Sequence, residues 1–328
     1  MLQLSLVTPT FRQAATIRET IESVLAQDHA DLDYWVIDAG SDDGTVDILR
    51  SYEKDPRFHW ISEPDAGQSD AINKGLALCT GKIFNWINSD DYLLPGALTR
   101  MVEMFERHPE AHIVSGRTAE FRGSPPEIFN HVELQLRATA EQTITVGVYC
   151  QPSTFWRTDI FRALGGVDPA LHCVMDWDLW VRYLARYGQG HILRMPDVLA
   201  HYRHHAAAKT TVASAQFYDE AKVVFHNFHL ALDASEPYLF HDAEHMKSWH
   251  RRTFELGPTF DRERYFGAYA ERMVRIYRLK DCASAKIWLA RAWAHKPWMT
   301  PWRVKMAACA LFWRQGPQAR KGMDHRRI

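Results

Sequence analysis

The chain has 328 residues, of which 46% are hydrophobic and 12% aromatic, enough to bury a sizeable core and to build one large domain plus an appendage. This excludes a disordered or fibrous protein. The net charge of −1 hides an asymmetry: residues 247–328 hold 19 Lys+Arg against 6 Asp+Glu, leaving 20 against 34 before them. Five scattered cysteines without a C-x-x-C pair indicate neither a disulfide framework nor a structural zinc site, so a reducing, cytoplasmic setting is expected. The apolar start, residues 2–7, has no basic flank and reads as a first strand rather than a signal peptide. No apolar run approaches the roughly 18 residues of a membrane span.

Over the first 115 residues strand and helix signals alternate, the pattern of a parallel sheet covered on both faces. Strands are expected at residues 2–7, 34–38, 58–62, 83–87 and 112–115. Helical spacing recurs between them in Ile17, Ile21, Val24 and Leu25, then Val46, Leu49 and Tyr52, then Ala71, Gly75 and Leu78, then Leu98, Met101, Val102 and Phe105. Such a sheet binds ligands at the carboxyl ends of its strands.

The first strand is expected to end in a turn, Thr8-Pro9-Thr10-Phe11-Arg12-Gln13, whose lack of glycine argues against a dinucleotide fingerprint. The second ends in Asp38-Ala39-Gly40-Ser41-Asp42-Asp43-Gly44-Thr45, where an acid at a strand end can accept hydrogen bonds from a base or ribose, or the turn can simply cap a helix. The third exits into residues 63–75, polar enough at a helix N-terminus to suit a nucleotide sugar, with Asp65, Gln68, Asn73 and Lys74 as candidates. The fourth ends in Asn88-Ser89-Asp90-Asp91, adjacent carboxylates that repel unless a cation or hydrogen-bond donors compensate.

Residues 117–203 are irregular, broken by Pro125-Pro126 and Gly165-Gly166, with a helix expected over 177–187 and a strand over 197–202 leading to His201, His204 and His205. After about residue 212 every segment reads as helical, and residues 268–279 and 283–295 form a helical hairpin stopped by Pro297. Trp288, Trp293, Trp298, Trp302 and Trp313 lie there among Lys286, Arg291, Lys296, Arg303, Lys305 and Arg314. Basic, Trp-bearing helices suit peripheral contact with an anionic membrane, and equally well packing on the core or across a homodimer.

Taken in order, Thr8-Pro9-Thr10, the Asp38 segment, residues 63–75, Asn88-Ser89-Asp90-Asp91, residues 151–156, Gly165-Gly166-Val167-Asp168, Asp176-Trp177-Asp178-Leu179-Trp180 and Tyr202-Arg203-His204-His205 resemble the family-2 glycosyltransferases. The resemblance covers roughly residues 1–210 and implies an α/β GT-A fold. A Rossmann-like nucleotide-sugar-binding half (1–115) joins an acceptor-side half (116–210), and an all-helical C-terminal region (211–328) follows.

It further implies that Thr8, Pro9, Asp38 and Asp65 line the base and ribose, with Thr10, Gln68, Asn73, Lys74, Asn88 and Ser89 completing the nucleotide-sugar pocket. Asp90, with Asp91 and His205, would hold Mn²⁺ or Mg²⁺ on the diphosphate, and Asp176 would be the catalytic base. Two departures stand out: the family's Asp-x-Asp is Asn88-Ser89-Asp90 here, and its Glu-Asp before the acceptor helix is Met175-Asp176. The Gln-x-x-Arg-Trp signature of polymerising relatives is missing, which points to single-sugar transfer.

The activity implied is inverting transfer from a nucleotide-diphosphate sugar to a hydroxyl of a saccharide or lipid-linked saccharide, in surface polysaccharide assembly, with no nucleic-acid partner. The alternatives are a sugar-1-phosphate nucleotidyltransferase and a catalytically inactive nucleotide-sugar-binding scaffold. Between the two acids of the acceptor helix, positions two apart point about 200° away from each other, so only one can face the reaction. Asp176 is the expected base and Asp178 the expected partner of Arg182.

Overall fold

The computed structural model describes residues 2–294 apart from 30, 207, 210–212, 235–237, 239–243, 245–248 and 278–281. The chain divides into two compact units. The first unit comprises residues 1–134, 148–183 and 190–253; the second comprises 135–147, 184–189 and 254–328.

The first unit is built on a nine-stranded mixed sheet. Its strands are β1 (Leu4–Thr10), β2 (Leu32–Asp38), β3 (Phe58–Ser62), β4 (Ile83–Trp86), β5 (Tyr92–Leu93), β6 (Ile113–Arg122), β7 (Glu127–Glu133), β8 (Thr154–Arg157) and β9 (Ile192–Arg203). Their order is β3-β2-β1-β4-β8-β6-β9-β5, with β7 paired to β6. The four strands β3, β2, β1 and β4 are mutually parallel, and β8 runs antiparallel to both β4 and β6. The uninterrupted parallel run therefore ends at β4, with β6 and β9 forming a separate parallel pair beyond β8, and the chain order reverses between β2 and β4 on either side of β1. This reversal opens the crevice at the strand ends.

Every residue of β1 is buried, as a central strand covered on both faces requires. On one face α1 (Ile17–Leu25) and α4 (Ala97–Arg107) bring Ile17, Ile21 and Val24, and Leu98, Met101, Val102 and Phe105, into a core with Leu4, Leu6 and Val36. These side chains recur at three- and four-residue spacing because that spacing aligns them along one helix stripe. Helix α2 (Thr45–Arg50) follows β2, and α3 (Gln68–Leu78) packs against β1 so closely that a Cβ on Gly75 would lie 2.6 Å from both Val7 methyls. That approach brings the N-terminus of α3 to the end of the sheet.

Several elements differ from expectation. Strand β1 continues through Thr8, Pro9 and Thr10, which pair with Val36, Ile37 and Asp38, so those residues belong to the sheet rather than to a turn. Strand β6 runs on to Arg122, and β5, β7 and β8 have no counterpart among the expected strands. Residues 249–261 are irregular rather than helical. Here His250 and Arg252 reach Asp168, at 2.6 and 2.7 Å, and Arg252 approaches Asp178 at 3.9 Å. These contacts favour an irregular path that carries the imidazole and the guanidinium to buried acids.

Burial alone would raise the pKa of Asp168, but the hydrogen bond from His250 and the charge of Arg252 outweigh it and hold the carboxyl down at about 2. A depressed carboxylate contributes stability that is present above its unfolded value and lost as pH falls through its folded one. Asp168→Asn is thus expected to cost about 2 kcal/mol at pH 7. In urea melts the two proteins should converge as the pH falls towards about 2, and a constant difference at all pH values would contradict this.

Helices α6 (Thr158–Ala163), α8 (Ser214–Ala231) and the start of α7 (Met175–Tyr187) complete the first unit. In the second unit α5 (Ala140–Val146) lies with α9 (Arg262–Tyr277) and α10 (Cys282–Ala294). Glu141 of α5, buried, accepts from the Asp261 backbone N–H at 3.0 Å and faces Arg264 at 3.7 Å. The expected hairpin corresponds to α9 and α10, where Trp288 meets Tyr269 edge-on and Arg291 sits 4.4 Å from the Trp288 ring centre. The side chain of Trp293 and residues 295–328 lie outside the described residues, and with them Lys296, Trp298, Trp302, Arg303, Lys305, Trp313 and Arg314. No described helix is long and apolar enough to cross a membrane.

Candidate active site

A cavity of about 520 Å³ opens at the carboxyl ends of the parallel strands. Pro9, Thr10 and Phe11 from the end of β1 line it, with Ala39 after β2, Asp65, Gly67 and Gln68 after β3, Asn88, Ser89 and Asp90 after β4, and Tyr202, His205, Ala208 and Lys209 from the end of β9 onward. The first unit alone supplies every one of these residues. Of the expected residues the cavity thus gathers Pro9, Thr10, Asp65, Gln68, Asn88, Ser89, Asp90 and His205.

The turn after β4 is held from several directions. Gln68 Nε2 donates to Asn88 Oδ1 at 2.7 Å, and Arg203 Nε donates to the Asp90 carbonyl at 3.0 Å. His205 Nε2 and Asp90 Oδ2 stand 2.9 Å apart in the cavity. Asp91, next in sequence, turns the other way. Its carboxylate is buried, accepts from the Arg203 backbone N–H at 2.9 Å and from Asn88 Nδ2 at 3.2 Å, and is absent from the cavity lining. Burial, reinforced by the neighbouring Asp90, pushes its pKa well above the ordinary value. Its placement is that of a group tying β9 to the turn.

Asp65 accepts from the Gly67 N–H at 2.8 Å, and burial raises its pKa against that bond. Gly67 has φ +116°, a left-handed conformation that lets the chain turn from Asp65 straight into α3. The Thr10 hydroxyl is buried and has no hydrogen-bond partner among the described residues. An orphaned polar atom at a cavity wall is a vacancy in hydrogen bonding that a polar ligand would fill.

Five further expected residues lie outside the lining. Thr8 is buried, its hydroxyl 2.9 Å from Tyr34 Oη. The Asp38 carboxylate, buried, accepts from the Gly40 and Ser41 N–H groups and from the hydroxyls of Ser41 and Ser62, so it fastens the β2 turn to β3. Asn73 bonds both the N–H and the carbonyl of Val167. Lys74 is paired with Glu63 at 3.1 Å and Asp70 at 3.5 Å.

The fifth, Asp176, is half-buried in the first turn of α7, and its Oδ1 accepts from the Trp177 N–H at 2.8 Å. Burial raises its pKa, more than the two backbone N–H bonds lower it. The helix end alone therefore does not keep it in the ordinary carboxylate range. Asp178 is buried and bound by Arg182 at 2.8 Å, so the two acids are separated into a partly open group and a paired one. The loop before α7 is pinned by Glu220 of α8, whose buried carboxylate accepts from the successive N–H groups of His172, Cys173 and Val174.

The lining also includes residues that sequence reasoning did not single out. Phe11, 49% exposed at the mouth, offers an aromatic face, and Lys209 offers a cation. Phe11 was visible as the only aromatic residue beside Thr8-Pro9-Thr10, whereas no local pattern marks Lys209.

A run of parallel strands that stops beside an antiparallel neighbour, with a cavity on its carboxyl edge and a mixed extension beyond, is the architecture of the GT-A glycosyltransferases. Solved structures agree in fold. TarS of S. aureus in complex with UDP-GlcNAc matches with a TM-score of 0.59 at 14% identity, over 89% of this chain and 82% of that one. The mannosyltransferase PcManGT of Pyrobaculum calidifontis, in complex with GDP-Man and Mn²⁺, matches with a TM-score of 0.50 at 17% identity, over 95% and 80%.

Residues 5–165 match the family described as Glycosyl transferase family 2. An uncharacterized glycosyltransferase of Nostoc sp., alr2836, is 25% identical over 67% of this chain and 71% of its own length. TuaG of Bacillus subtilis, named for teichuronic acid biosynthesis, is 32% identical over 39% and 52%. The PGL/p-HBAD biosynthesis glycosyltransferase Rv2957 of Mycobacterium tuberculosis is 24% identical over 65% and 81%. The chain belongs to the family-2 glycosyltransferases.

Proposed function

We propose that this glycosyltransferase is inverting and metal-dependent, moving one sugar from a nucleoside diphosphate to a hydroxyl of a saccharide or lipid-linked saccharide during glycan assembly. The observation that carries the reading is the pairing of Asp90 and His205 in the cavity, 2.9 Å apart. A carboxylate oxygen and an imidazole nitrogen that meet in the cavity are a donor pair that would hold Mn²⁺ or Mg²⁺. Among the described residues no group of three or more acids, histidines or cysteines could hold an ion alone. Phosphate oxygens and water would complete the shell, as is usual for such ions on nucleotides. When bound, the ion neutralises charge on the departing diphosphate.

The chain's own residues divide the remaining work. Phe11 at the mouth stacks on the base, and Asp65 and the orphaned Thr10 hydroxyl bond base or ribose. Asn88 and Ser89 bond the ribose and the sugar, and Arg203 and Asp91 fix the turn that carries Asp90. Asp176 takes the proton from the acceptor hydroxyl as its oxygen bonds to the anomeric carbon and the bond to the phosphate oxygen breaks. With a base on the face opposite the leaving group, the anomeric centre inverts. The glycan-assembly names of TuaG and Rv2957 support the acceptor class.

A thermal-shift screen with UDP-, GDP- and dTDP-sugars, each with and without Mn²⁺, tests the reading. One donor is expected to raise the melting temperature more with Mn²⁺ than without. No shift with any donor would contradict it.

A further inference from the structure

We infer that Lys209 is a second cationic contact for the donor's diphosphate, acting beside the Asp90–His205 pair and independently of a metal ion. The inference rests on the transferase reading of the cavity.

Two lysines lie near the start of α3, and their environments differ. Lys74 is held by Glu63 and Asp70, so its charge is neutralised by the protein itself. Lys209 lines the cavity, and its Nζ donates to two neutral acceptors, Gln68 Oε1 at 2.6 Å and the His172 carbonyl at 3.1 Å. An ammonium has three N–H donors, so the described residues leave one for a ligand. None of them places a carboxylate in direct contact with it. Desolvation lowers its pKa, and the charges of Cys173, Glu220, Asp90 and Asp65, in that order and none in contact with it, oppose that shift.

Gln68 is the first residue of the eleven-residue helix α3 and also bonds Asn88, so Lys209, the helix N-terminus and the turn before Asp90 are joined by one chain of hydrogen bonds. A diphosphate is the part of the donor that such a set of donors suits, because both the helix end and the ammonium favour anions. A solvated surface lysine would not be pinned at both acceptors. The two bonds hold Nζ at the cavity wall at little further entropic cost on binding.

Calorimetry in EDTA, with UDP, UMP, GDP and GMP as probes, tests this on the full chain. Wild type should bind one diphosphate more tightly than its monophosphate. Lys209→Met should weaken that diphosphate about tenfold while changing the monophosphate less than about twofold, as expected for one lost charge-assisted contact. Lys209→Arg should retain most of the preference. An unchanged ratio between diphosphate and monophosphate in Lys209→Met would overturn the inference alone, and equal weakening of both would do so too by showing a merely structural role. Binding that appears only with Mn²⁺ would also overturn the inference, and if wild type binds none of the four probes, nor dTDP or dTMP, with Mn²⁺ or without, the transferase reading itself falls.

Discussion

Asp176→Asn should lower sugar transfer by at least about 10²-fold while leaving donor affinity nearly intact, since a general base contributes about 10²–10⁴-fold and makes no contact with the nucleotide. The geometry separates it from its neighbour. Asp176 is half-buried and bonded only to backbone N–H groups in the first turn of α7, whereas Asp178 is closed off in a 2.8 Å pair with Arg182. Asp178→Asn should therefore cost stability more than turnover, because it leaves Arg182 buried without its carboxylate.

A pH profile adds an independent check. A base works ionised, and burial raises the pKa of Asp176. The acid limb of kcat/KM should then fall at a pH above the ordinary carboxylate value of about 3.9, with activity rising as pH rises through it. An Asp176→Asn enzyme at near wild-type rate, or one whose sole defect is failure to bind nucleotide, would remove this residue from the mechanism.

The second large effect concerns Asp90. Asp90→Ala should abolish the part of nucleotide affinity that depends on Mn²⁺, a loss of at least about tenfold, or about 1.4 kcal/mol. His205→Ala should remove part of it, since the imidazole supplies one donor of the 2.9 Å pair. Asp91→Asn should instead act through the turn. Its buried carboxylate holds the Arg203 N–H and Asn88, so stability and the geometry around Asp90 suffer before any direct metal contact does. Calorimetry with Mn²⁺ and with EDTA distinguishes these cases, and equal affinities for wild type in the two buffers would refute the metal role.

The sequence made the first half of the sheet legible because β1 to β4 are short apolar runs separated by helices with one clear stripe, such as Ile17, Ile21 and Val24. The mixed part of the sheet beyond β4 was harder to see. Strand β7 is exposed along almost its whole length and shows no alternation, β5 has two residues, and β8 has four. Strands β5 and β8 pair with partners distant in sequence, which local pattern does not reveal, and β7, although it pairs with the adjacent β6, carries no apolar face that would mark it.

The site divides in the same way. Strand-end position identified Asp65, Gln68, Asn88 and Asp90, but it could not tell Asp90 from Asp91, because successive residues in a tight turn face opposite directions. Asp38 has the right position and residue type, yet its own turn supplies the donors that a ligand would otherwise provide. Lys209 reaches the cavity only because residues following β9 return to the N-terminus of α3, 141 residues away in sequence.

The central claim is that the cavity turns over a nucleotide sugar, and release of the nucleoside diphosphate measures this most directly. Purified protein with Mn²⁺ and the donor that stabilises it should release the diphosphate slowly by transfer to water, and Asp90→Ala and Asp176→Asn should each reduce that release. A protein that binds the donor tightly, yet releases no diphosphate with water or with any saccharide acceptor offered, would contradict the account and leave a nucleotide-sugar-binding module in its place.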